Sequence, residues 1–90
     1  MASSTYQVIL KREARRAIQS IPPHIAAQAR VFIDAHLRHY PTQRIPAKMK
    51  RLKGQLTGIW QYDLPSDYRL WYRVNEQARI VEVIYIGPHP

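Results

Sequence analysis

Fourteen lysines and arginines stand against six acids in this 90-residue chain, a formal net charge of +8. The basic residues cluster. Arg44, Lys48, Lys50, Arg51 and Lys53 share a stretch without a single acid, while the acids stand at Glu13, Asp34, Asp63, Asp67, Glu76 and Glu82. A local cationic surplus attracts polyanions, because each phosphate it neutralises releases bound counterions. For any one of these side chains a plain solvated surface role is the competing explanation. A second group lies at residues 68–75 (YRLWYRVN). In a strand, alternate side chains share a face, so Arg69, Trp71 and Arg73 point one way and Tyr68, Leu70, Tyr72 and Val74 the other. Guanidinium groups pair with phosphate and aromatic rings stack on unpaired bases, a combination suited to RNA. Trp60 and Tyr62 alternate in the same manner in residues 59–63, and we place them on the Arg69 face. Packing of Trp60 and Trp71 in a second small core is the alternative.

Other chemistries find less support. His36 and His39 are three positions apart, a spacing that can chelate a metal on a helix, but no third ligand lies near and they read as a solvated helix face. The chain has no cysteine, hence no disulfide and no thiolate metal site, a usage that fits the cytoplasm. Residues 1–6 are short and polar, unlike a signal peptide, and the longest apolar run, residues 83–86, falls far below the roughly 20 residues of a membrane span. We expect no cofactor and no membrane partner.

The elements that position these residues follow from periodicity. Residues 6–10 (YQVIL) are β-branched and aromatic and predict a strand. Residues 11–21 carry Ala14, Ala17, Ile18 and Ile21 at helical spacing. Pro22 and Pro23 end that helix, and the second can open the next. Ile25, Ala29, Phe32, Ile33, His36 and Leu37 then form one apolar stripe up to about Tyr40, before Pro41. The basic connector 44–53 predicts a short strand near 49–52 and a turn at Gly54. Residues 59–63, 68–75 and 79–86 predict three strands joined by tight turns, the last apolar on both faces and so central in its sheet. The expected order is β-α-α-β-β-β-β, a single α+β domain over residues 1–90, with a helical hairpin on one face of a mostly antiparallel sheet.

The segments Arg51-Leu52-Lys53-Gly54, Gly58-Ile59-Trp60, Asp67-Tyr68-Arg69-Leu70-Trp71-Tyr72-Arg73-Val74 and Val83-Ile84-Tyr85-Ile86-Gly87-Pro88-His89 resemble the RelE/YoeB/HigB superfamily of type II toxin–antitoxin toxins. The resemblance runs over nearly the whole chain and implies a RelE-like fold. It also implies an endoribonuclease that cleaves messenger RNA on the 70S ribosome, without a metal, and is neutralised by an acidic antitoxin. In such enzymes a ribose 2′-hydroxyl attacks the adjacent phosphate, which requires a base, cations for the phosphorane and an acid for the leaving oxygen.

On this resemblance Arg69 is the catalytic arginine, His89 falls where members carry a terminal arginine or histidine and serves as acid, and Arg51 and Lys53 position the RNA backbone. Lys48 and Lys50 steer RNA, with Trp60, Trp71 and Arg73 completing the RNA-binding surface. Members with two lysines on the strand after LKG would align them with Trp60 and Tyr62, and those with a glutamate base would align it with Lys50. No carboxylate is therefore expected at the site, and Tyr62, a deprotonated Lys50 or Lys53, or His89 itself is left to assist the hydroxyl. The superfamily also contains ParE-type inhibitors of DNA gyrase, so gyrase inhibition and a catalytically degenerate RNA- or ribosome-binding protein are the alternatives.

Overall fold

A computed structural model describes residues 5–89; residues 1–4 and 90, which enter the reading of the termini above, lie outside it. Strand β1 (Gln7–Leu10) leads into helix α1 (Arg12–Ser20), where Ala14 and Ile18 turn inward. Ile21 and the two prolines break the chain, and Pro23 opens α2 (Pro23–Phe32) at the position where its missing amide hydrogen costs nothing. Ile25, Ala26, Ala29 and Phe32 bury that helix against the sheet.

The apolar stripe predicts a helix to about Tyr40. Instead, α2 gives way to a single π-helical turn at Ile33–Leu37, closed by Arg38 N–H on the Ile33 carbonyl at 3.2 Å. Stacking on Phe32 (centroids 5.3 Å apart) accompanies this wider turn at His36, whose Nε2–H donates to the Gln43 carbonyl at 2.8 Å. Burial lowers the pKa of His36, against the opposing pull of this bond. Among the described residues no three potential metal ligands come together, and no helix is long and apolar enough to cross a membrane.

Strands β2 (Met49–Arg51), β3 (Trp60–Asp63), β4 (Tyr68–Asn75) and β5 (Ile80–Pro88) complete a five-stranded sheet of order β1-β5-β4-β3-β2. All neighbours are antiparallel except β1 and β5, which run parallel with Val8 beside Val81. The helices cover one face. Leu70, Tyr72, Val81, Val83 and Ile86 are buried beneath them with Ile25, Ala29, Phe32 and Leu37. The Tyr72 hydroxyl is satisfied by the Pro41 carbonyl at 2.6 Å, which ties the segment leading into the basic connector to the core. A bulge in β5 between the partners of Trp71 and Tyr72 keeps both Ile86 and Val83 on the covered face.

Candidate functional site on the open sheet face

Register decides which side chains share the uncovered face. Trp60 pairs with Tyr72 and Tyr62 with Leu70, so both aromatic residues of β3 belong to the covered face. Trp60 is 9% exposed and stacks parallel to Tyr72, and Tyr62 stacks on Phe32 with centroids only 3.6 Å apart. The expectation that Trp60 and Tyr62 lie beside Arg69 is thereby corrected: apolar rings on the strand next to a helix-covered core follow the core. Burial raises the pKa of the Tyr62 phenol, which opposes its use as a base near neutral pH. The β3 residues that face outward are Gln61, opposite Trp71, and Asp63, opposite Arg69.

The expected absence of a carboxylate at the site is also overturned. Arg69 Nε lies 3.3 Å from Asp63 Oδ1, an ion-pair contact without hydrogen-bond alignment, and Arg69 Nη2 donates to Asp67 Oδ1 at 3.3 Å. Arg69 Nη1 bonds the Tyr68 carbonyl. A continuous polar chain runs from the Trp71 indole N–H to Gln61 Oε1 (3.0 Å) and from Gln61 Nε2–H to Asp63 Oδ1 (3.0 Å). Gln61 is buried but satisfied at both ends. Asp67 sits in a Pro65–Asp67 turn in which Ser66 (φ 59°) and Asp67 (φ 68°) are both left-handed.

Across from Arg69 stands Gly87. The Tyr85 hydroxyl folds over it so closely that a Cβ there would lie 2.7 Å away, and donates to the Pro88 carbonyl. Tyr85 also contacts Trp71 (centroids 5.2 Å). His89 follows, its amide donating to the Asp67 carbonyl at 3.0 Å. Arg69, Asp63, Asp67, Tyr85 and the backbone of His89 therefore meet at one end of the open face. Sequence reasoning missed Asp63, Asp67 and Tyr85. The alternation Trp60–Gln61–Tyr62–Asp63 held the signal for Asp63 once Trp60 is assigned inward.

The other expected RNA-binding residues are divided. Lys50 faces outward beside Gln61, whereas Arg51, on the next residue, lies 5.2 Å over the Trp60 ring on the covered side. Lys48 and Lys53 are exposed on the connector, without an ion pair among the described residues. Arg73 faces outward at the far end, bonded to Glu82 (2.8 Å), which also meets Lys11 (3.6 Å). The Arg73 hydrogen bond and the nearby cations hold the Glu82 carboxyl below its ordinary pKa. Each open-face arginine thus has a carboxylate partner, while Arg12, Arg15, Arg16 and Arg30 on the helices have none among the described residues.

Residues 8–89 match the family model described as the ParE toxin of the type II toxin–antitoxin system, parDE. The chain belongs to this toxin family. Solved structures of the wider superfamily share its fold. The RelBE2 toxin–antitoxin complex from Mycobacterium tuberculosis matches at 26% identity with a TM-score of 0.76, covering 94% of this chain and 99% of that one. The archaeal RelE–RelB complex from Pyrococcus horikoshii OT3 gives 26% and 0.71, covering 93% and 94%. A YoeB/ParE toxin from Agrobacterium tumefaciens gives 21% and 0.79, covering 93% and 99%. No curated protein matches at the sequence level. The toxin fold of residues 8–89 is thus a RelE-like α+β domain, in which two helices pack on a mixed five-stranded sheet.

Proposed function

We propose that this toxin is an endoribonuclease that cleaves messenger RNA in the ribosomal A site and needs no metal, with Asp63, Arg69 and His89 dividing the chemistry. The observation that carries this reading is the contact between the Asp63 carboxylate and the Arg69 guanidinium on the open face, across the sheet from Gly87 and close to the start of the His89 segment. Asp63 accepts the proton of a ribose 2′-hydroxyl as O2′ attacks the adjacent phosphorus. Arg69 stabilises the non-bridging oxygens of the phosphorane with its planar fork. His89, protonated, gives its proton to O5′ as the P–O5′ bond breaks, leaving a 2′,3′-cyclic phosphate and a 5′-hydroxyl. Trp71 and Tyr85 offer stacking surface for the flanking bases, and Lys48, Lys50, Lys53 and Arg73 steer the backbone. Arg51 and Trp60, on the covered side, are left out of this surface. An acidic antitoxin segment supplies the neutralising partner, and the cytoplasm the compartment.

Primer extension on a defined messenger RNA, with and without programmed 70S ribosomes, tests the reading. New 5′ ends at A-site codons only when ribosomes are present support it, and loss of those ends in Arg69→Ala assigns the arginine. One observation favours a second reading, binding without cleavage: every open-face arginine is already paired with a carboxylate. Absence of new ends together with inhibition of gyrase supercoiling would establish the ParE-type activity. Absence of new ends while the protein still sediments with ribosomes would establish a degenerate binder.

A further inference from the structure

Arg69 has two carboxylate partners that differ in kind. Asp63 is part of a strand, is bonded to Gln61, and its side chain is 42% exposed; Asp67 belongs to a turn, is 80% exposed, and meets only Nη2 of the guanidinium. The Arg69 side chain itself is 16% exposed, and its Nε is a buried donor without an aligned acceptor. One partner is thus built into the sheet and the other leans in from solvent. An exposed ion pair is weak because water competes for both members, so Asp67 yields its place more easily than Asp63, which the strand and Gln61 hold.

We propose that Asp67 is a removable latch: its carboxylate occupies the guanidinium edge that a phosphodiester takes, and RNA must displace it to bind. The proposal rests on the reading of Arg69 as the phosphate-binding residue, and it adds a self-restraint to that site. The backbone supports an exchange confined to a side-chain rotation. The turn is fixed by His89 N–H on the Asp67 carbonyl and by Leu64 N–H on the Tyr68 carbonyl. Its two consecutive left-handed residues hold the Asp67 side chain in reach of Arg69, a conformation that costs non-glycine residues free energy but that aspartate and asparagine tolerate best. A phosphodiester presents two oxygens to the fork where Asp67 presents one, and so completes the donor set that the latch leaves partly unused.

The test is a double-mutant cycle read by fluorescence anisotropy, with a labelled 2′-O-methyl RNA oligonucleotide that cannot be cleaved because its attacking hydroxyl is blocked. Asp67→Asn keeps a side chain suited to the left-handed turn and removes the charge. It is expected to tighten binding about two- to fivefold, the worth of an exposed ion pair, and the gain is expected to vanish when Arg69→Ala is also present. Asp34→Asn, which removes a carboxylate paired with Arg38 instead, controls for the change in net charge and is expected to give less. An unchanged affinity in Asp67→Asn, a gain that persists without Arg69, or an equal gain in Asp34→Asn would overturn the latch. Circular dichroism melts verify folding, and Asp67→Ser provides a second uncharged variant should the first not fold. Cleavage is scored separately. Tightening without cleavage by any variant keeps the latch and removes the ribonuclease reading, while cleavage without tightening does the reverse.

Discussion

The two faces of this sheet are built from the same five strands and obey opposite rules. On the covered face Trp60, Tyr62, Tyr72 and Phe32 stack ring on ring, and the buried Tyr72 hydroxyl has a backbone acceptor. On the open face Trp71 and Tyr85 are half-buried and interleaved with Gln61, Asp63, Arg69, Arg73 and Glu82, nearly all tied to one another. The first face stores stability in dispersion and burial. The second stores charge in near balance, so that the surplus behind the net +8 lies on the helices and the connector. A high net charge therefore does not locate a binding face; pairing within the fold does.

This contrast can be broken deliberately. The largest effect is expected from Tyr72→Ala, which empties a fully buried aromatic site and should cost about 3–5 kcal/mol, measured by urea denaturation. Tyr72→Phe, which only orphans the Pro41 carbonyl, should cost about 1 kcal/mol. Asp63→Asn on the opposite face should leave the urea midpoint nearly unchanged while lowering the proposed cleavage by about 10²–10⁴-fold, the range of a general base; equal loss in midpoint would make Asp63 structural.

Smaller again is the acid limb of stability. The folded-state pKa of Glu82 lies below its ordinary 4.5, so its stabilisation is present above that pH and disappears as pH falls through the depressed value. Thermal melts of Glu82→Gln should therefore lose less stability than the parent on acidification below about pH 4.5. The smallest effect should come from Tyr62→Phe, which keeps the stack on Phe32. Cleavage within about twofold of the parent is expected for a phenol that moves no proton, and a larger fall would return Tyr62 to the list of bases.

Element order, the helical hairpin and the central place of β5 were legible because periodicity and proline punctuation act locally. The end of α2 was less so: an apolar stripe continues through His36 and does not show the wider last turn, which goes with the stack of His36 on Phe32 and its bond to Gln43. The facing of β3 was misread for an instructive reason. Trp60 and Tyr62 suit both a core and a stacking platform, and the residue that decides is the polar one between them, Gln61, which finds its partners in Trp71 on the neighbouring strand and Asp63 on its own. Pairing of Asp67 with Arg69 depends on two left-handed residues in a Pro-Ser-Asp turn, a conformation that composition suggests but does not specify. Arg69 and Trp71 were placed correctly on the open face because alternation sets them opposite Leu70 and Tyr72, which the helices cover.

The parallel pairing of β1 with β5 has a consequence in time. Among the described residues β1 finds its only sheet neighbour in β5, about 70 positions further along the chain, and a hydroxyl–carboxylate bond between Tyr6 and Glu76 joins residues 70 positions apart. Loop closure of that length is slow compared with hairpin formation. Until β5 docks, β1 has no strand to pair with and Arg69 has no Gly87 opposite it, so the open face is completed only when these distant segments meet.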